Sequence, residues 1–118
     1  MITLKVDRDP DGLIRGFTMS GHAGSGPHGY DLVCAGASAV SFGALNAVEQ
    51  LTGIRPQVNL SGEGGFLSCR LPDQAHAGKM EKARLILEAM LVSMRTIEHS
   101  YGTYIRIIDK GGTHYVET

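Results

Sequence analysis

Apolar and polar residues alternate from the first positions of the chain. Ile2, Leu4 and Val6 share one parity and Thr3 and Lys5 the other, which predicts a strand with one buried face. Asp9-Pro10-Asp11-Gly12 then places Pro and Gly where a turn uses them. Residues 13–20 are therefore expected to return as the second strand of a hairpin, with Leu13, Phe17 and Met19 on one side and Thr18 and Ser20 on the other. From Asp31 the period lengthens. Val33, Ala37, Val40, Ala44, Val48 and Leu51 recur at spacings of three and four, and Gly53 stands where a glycine ends a helix. The other positions of this helix are small (Ala35, Gly36, Ser38, Ala39, Ser41, Gly43, Ala47), which predicts close approach to neighbouring backbone and deep embedding.

The second half repeats the order of elements. Residues 56–61 and 66–71 read as a hairpin around Gly62-Glu63-Gly64-Gly65, with Val58 and Leu60 facing the same way as Leu67, Cys69 and Leu71. Met80, Ala83, Leu87, Met90, Met94, Ile97 and Tyr101 then form the stripe of a long amphipathic helix that Gly102 stops, and a last strand spans 103–109. The two halves share no residue pattern that aligns, so no repeat is inferred. The order ββα, ββα, β predicts an α+β fold, a mixed β-sheet covered by two α-helices, with residues 1–118 as a single domain.

Charge and cysteine usage narrow the function. Eleven basic and twelve acidic residues give a net charge of -1, which lacks the basic footprint of a protein that grips phosphate backbones, so no direct nucleic-acid partner is expected. The N-terminus has no charged head leading into an apolar core of a signal peptide, and no apolar run reads as a membrane span; a cytoplasmic protein is expected. There the two cysteines, Cys34 and Cys69, are expected as free thiols, and they are too few for an all-thiolate metal site.

The chemistry-bearing residues gather between the second strand and the first helix. Asp31, Cys34, Ser38 and Ser41 fall at spacings of three, four and three, a polar stripe on one helix face. With Asp31 as N-cap, its carboxylate accepts from the amide of Cys34, and Cys34 lies in the first turn, where the helix dipole and a nearby imidazolium would favour the thiolate. Unpaired amides at the same helix end could stabilise an oxyanion. His22, arriving at the end of the second strand, is the base that twelve intervening steps of chain allow to reach the thiol. Asp31 has a competing role as the group that orients His22. Cys34 also has a plainer reading, a small apolar residue in a tightly packed helix. Cys69, in phase with Leu67 and Leu71, is expected as an inert core thiol.

Other constellations are weaker. Gly24-Ser25-Gly26-Pro27-His28-Gly29 spells a G-x-G-x-x-G, and Glu49 lies twenty residues beyond, but Glu49 falls inside the following helix and the preceding strands form a hairpin. Pro27-His28 also stands where a phosphate-binding loop needs Lys and Ser or Thr. Zinc held by His22, His28, Cys34 and Asp31 or Cys69 lacks any standard ligand spacing, so neither metal nor cofactor is expected. His76, His99 and His114 read as surface histidines.

Gly21-His22-Ala23-Gly24, followed by Gly29-Tyr30-Asp31-Leu32-Val33-Cys34-Ala35 and Ser38-Ala39, resembles the signature of the ribosomal-processing cysteine protease family, Prp. The resemblance implies an endopeptidase that removes the N-terminal extension of a large-subunit ribosomal protein during ribosome maturation. It implies His22 as base, Cys34 as nucleophile, Asp31 and Ser38 as supporting positions, a homodimer, and the ribosomal protein precursor as partner. The loop departs from the family pattern: Gly24-Ser25-Gly26-Pro27-His28 replaces an aromatic-containing segment, so Tyr30 is expected to supply substrate packing in a mobile cover formed by Gly21, Gly24, Gly26 and Gly29. Two alternatives stand beside this one: a ribosome-associated binding module without activity, and a thiol hydrolase of small acyl compounds.

Overall fold

The computed structural model describes residues 1–23, 31–61 and 65–110. Among them the elements run β1 (Ile2–Arg8), β2 (Ile14–Ser20), α1 (Leu32–Thr52), β3 (Gln57–Leu60), β4 (Phe66–Arg70), α2 (Ala77–Tyr101) and β5 (Ile105–Ile108). The strands form one sheet in the order β3-β4-β2-β1-β5. β1 pairs parallel with β5 and antiparallel with β2, so the sheet is mixed, and the fold is the α+β arrangement expected from the pattern.

Register explains the core. Val6 pairs with Phe17 and Leu4 with Met19; Phe17 in turn pairs with Cys69, Met19 with Leu67, and Ile2 with Ile105. One parity of β1, β2, β4 and β5 thus faces the helices, and Ile2, Leu4, Phe17, Leu67, Cys69 and Ile105 are buried there, whereas all of β3, at the sheet edge, is exposed, Val58 and Leu60 included. α1 contributes Val33, Ala37, Leu45 and Val48 to this core, and α2 contributes Met80, Ala83, Leu87, Met90, Leu91 and Met94.

Three details depart from the sequence pattern. The β1–β2 register shifts between Asp7 and Arg8, where Arg8 faces Ile14. This irregularity reverses the side-chain parity, so Ile14 is buried and Leu13 lies outside the strand, 44% exposed. In α1 the buried stripe is Val33, Ala37, Ser41, Leu45, Val48 and Thr52, while Leu51 is exposed. The hydroxyls of Ser41 and Thr52 donate to the carbonyls of Ala37 (2.8 Å) and Val48 (2.6 Å), which satisfies them locally and lets polar residues occupy core positions. Nor is α1 deeply embedded: Leu32, Ala35, Ala39, Phe42 and Gly43 are exposed. Contrary to expectation, this helix is long and apolar enough to cross a membrane; one stripe of it is buried in the core shared with the sheet and α2.

The helix ends are fixed locally. Gly53 closes α1 in the left-handed region, its N–H donating to the Glu49 carbonyl. His76, expected as an ordinary surface histidine, is the N-cap of α2, its Nδ1 accepting from the Gly78 N–H at 3.2 Å. At the far side Arg8 fastens β1 to α2 and to the end of β5. Its guanidinium donates to both oxygens of Glu88 and of Asp109, and its side chain and that of Asp109 are buried. These charge-assisted bonds hold the Arg8 pKa above its ordinary value.

Candidate active site

β2 ends at Ser20, and the chain turns at Gly21 with φ 93°. A Cβ there would collide with the Met1 carbonyl oxygen, so both the conformation and the space demand glycine. The turn delivers His22 to the surface and buries Ala23. From the opposite direction Asp31 caps α1: its Oδ1 accepts from the Cys34 N–H at 3.0 Å.

Cys34 consequently sits in the first turn of α1, half-buried, and its Sγ accepts from the Ala23 N–H at 3.2 Å. This bond joins the end of β2 to the start of α1. His22 and Cys34 line one groove of about 320 Å³ with Gly21, Ser38, Ile2, Met19, Phe42, Leu60, Ser61, Gly65, Phe66 and Leu67. The third side comes from the β3–β4 hairpin, whose Gly65 carbonyl accepts from the Gly21 N–H at 2.8 Å.

Of the residues singled out in the sequence, Gly21, His22, Cys34 and Ser38 come together around this groove, with Asp31 directly behind the thiol. Gly24, Gly26, Gly29 and Tyr30, and with them the cover and the glycine motif, lie outside the described residues. Ser41 leaves the polar stripe: it is fully buried and turned to its own helix. Phe42 takes that place, four residues past Ser38 and eight past Cys34, a spacing visible in the sequence. The Ala23 amide and Gly65 were not anticipated, because a backbone donor and a missing side chain leave no signal of residue type. Glu49 pairs with Arg55 at 3.2 Å on the surface of α1. Among the described residues no group of three His, Cys, Asp or Glu is placed to hold a metal ion.

A thiol that receives an N–H bond at a helix N-terminus, with an imidazole lining the same groove, suits acyl transfer through a thioester. Fold and groove together define a thiol-dependent hydrolase. Residues 1–106 match the family described as cysteine protease Prp. The ribosomal processing cysteine protease Prp of Bacillus subtilis is 41% identical over 107 residues, covering 91% of this chain and 96% of that protein. Its Staphylococcus aureus counterpart is 43% identical over the same length, covering 91% and 97%. A crystal structure of the S. aureus protease Prp with a covalently linked product peptide superposes with a TM-score of 0.84 at 43% identity, covering 93% of this chain and all of that one. A second, with a substrate peptide, gives 0.79 at 42% identity and the same coverage. The chain belongs to the cysteine protease Prp family, and it is a cysteine protease.

Proposed function

We propose that this chain removes the N-terminal extension of a large-subunit ribosomal protein, with Cys34 as nucleophile and His22 as base. The observation that carries the assignment of residues is the shared groove, in which the His22-Ala23 segment supplies both an imidazole and the N–H bound to Cys34 Sγ. The substrate follows from the relatives, which are called ribosomal processing proteases, and from the S. aureus enzyme's complexes with substrate and product peptides. Ile2, Met19, Phe42, Leu60, Phe66 and Leu67 give the groove apolar walls suited to the side chains of an extended peptide.

The Cys34 thiolate attacks the scissile carbonyl carbon and forms a C–S bond, moving charge onto the carbonyl oxygen. The Ala23 N–H, bound to Sγ in the resting site, is the donor proposed to pass from the sulfur to that oxyanion as the C–S bond forms. Collapse breaks the C–N bond as the His22 imidazolium protonates the leaving amine. His22 next takes a proton from water, whose oxygen attacks the thioester, and the C–S bond breaks to return the thiolate and release the acid. Asp31 holds the helix start in place and Ser38 lines the groove one turn beyond the thiol; Gly21 lines it at the strand end, and Gly24, Gly26, Gly29 and Tyr30 are assigned to the substrate.

The protein works in the cytoplasm as one domain, without a direct nucleic-acid or membrane partner, and as a homodimer. The long helix α2 turns its Met80 to Met94 stripe into the core. The exposed Leu32, Ala35, Ala39 and Gly43 face of α1 is the better surface for a second copy. Incubating the protein with the extended and the mature ribosomal protein, followed by mass measurement, tests the function. Shortening of the extended form alone, lost in Cys34→Ala, is the expected result; binding without cleavage, or hydrolysis of small thioesters only, would overturn it.

A further inference from the structure

We propose that Gly65, at the end of the β3–β4 turn, is a positioning residue for the His22 imidazole; this rests on the reading of His22 as base. An L side chain at Gly65 would put its Cβ 2.7 Å from His22 Nε2, 3.2 Å from Cε1 and 3.4 Å from Cδ2. The Nε2 end of the ring therefore lies against the bare Cα, on the side where every other residue carries a carbon. The backbone of Gly65 is also in the left-handed region, φ 75°, and its carbonyl accepts from the Gly21 N–H at 2.8 Å. Two contacts thus connect one residue of the second hairpin to the strand end that carries the base, one to its backbone and one to its ring.

His22 is exposed and the turn that presents it is tethered at Gly21 and Ala23, so the peptide on either side is held while the ring itself needs a floor. Gly65 provides that floor. Its chain neighbour Phe66, with Leu60 and Ser61 at the other end of the same turn, lines the groove. A peptide seated on these side chains bears on the same turn that supports the imidazole.

The test separates the clash from the backbone conformation. Gly65→Ala adds both a Cβ and backbone strain; Gly65→Asn adds the Cβ with a residue that tolerates the left-handed region. Gly53→Ala is the control, since φ there is 77° and a Cβ would meet nothing within 4 Å. Both Gly65 variants are expected to lose roughly 10²-fold in kcat on the extended ribosomal protein with KM unchanged, as misplacement of a catalytic group by about 1 Å does. Their Cys34 alkylation rates plotted against pH should follow those of His22→Ala, while Gly53→Ala keeps the parent kcat and profile and loses only thermal stability. A folded Gly65→Asn with the parent's kcat and profile overturns the proposal. In the unaltered protein, NOEs between the His22 ring protons and Gly65 Hα are expected, and their absence overturns it irrespective of how the variants fold. If Cys34→Ala or His22→Ala retained full activity, the assignment of the dyad would fail first, a result distinct from an inert Gly65.

Discussion

The two thiols of this chain are chemically identical and differ in what surrounds them. Cys34 opens a helix: its amide is capped by Asp31, its sulfur accepts an N–H from Ala23, and it borders a groove shared with His22. Cys69 sits in the middle of β4, paired with Phe17 on one side and Val58 on the other, 3% exposed. Burial pushes its pKa from an ordinary 9.0 to about 11, so it stays a thiol wherever the enzyme works. Placement on the fold, rather than residue type, divides the proposed nucleophile from core filler. A helix start gathers N–H dipoles around a sulfur; a strand interior has already spent its N–H groups on neighbouring strands.

The largest break in this comparison comes from deleting each thiol. Cys34→Ala should abolish peptide cleavage while leaving the unfolding transition nearly unchanged. Cys69→Ala should do the reverse, keeping kcat and losing about 1 kcal/mol of stability to the cavity left behind. Activity and urea denaturation of the two variants, measured side by side, check both; a cleaving Cys34→Ala would remove the assignment. Next in size is His22→Ala, expected to lower kcat by roughly 10²- to 10⁴-fold, the range for losing a positioned acid and base. Its Cys34 should also alkylate more slowly near neutral pH. Parent rates in both assays would return His22 to the status of a surface histidine.

Much of this contrast is legible in the sequence, for reasons that are local. The alternation at Ile2, Leu4 and Val6, the spacing from Met80 to Met94 and the glycine after α1 are signals of single elements, and each element forms where its period places it. The phase of Cys69 with Leu67 and Leu71 identifies the core thiol by the same logic. Legibility ends where a neighbour decides. The bulge at Asp7 and Arg8 exchanges Leu13 for Ile14 because strand pairing, not residue order, sets which side faces in. The α1 stripe runs through Ser41 and Thr52 because their hydroxyls can bond to their own helix, an option that hydrophobicity does not encode. In the groove, Gly65 and the Ala23 amide act through an absent side chain and a backbone hydrogen, so only the assembled fold exhibits them.

Asp31 gives a smaller effect that sharpens why a helix start suits a nucleophile. Asp31→Ala removes the acceptor for the Cys34 N–H and should cost about 1 kcal/mol of stability, the usual loss for an N-cap. Asp31→Asn keeps a capping oxygen and should recover most of that stability. If capping is what Asp31 does for catalysis, kcat should recover with it; an Asn variant that is stable but slow would instead assign the carboxylate charge a role at His22. Thermal unfolding and kcat, measured on the same preparations, separate the two roles that the sequence left in competition.

The smallest expected effect concerns Cys69 and has a defined pH window. Below about pH 9 the thiol is protonated in both the folded and unfolded chain and contributes nothing to pH dependence. Between about 9 and about 11 the unfolded chain loses this proton while the folded chain keeps it, so unfolding releases a proton and stability falls as pH rises through that interval. Above the upper value both forms are ionised and the contribution levels off. Other groups titrate in the same range, so the informative quantity is a difference between proteins. Urea midpoints of the parent and Cys69→Ala, taken under reducing conditions at about pH 8 and about pH 10, should converge as pH rises, because only the parent carries the buried thiol. Parallel midpoints would mean that the Cys69 thiol ionises as readily in the folded protein as in the unfolded chain, and the distinction between the two cysteines would then rest on access to the groove alone.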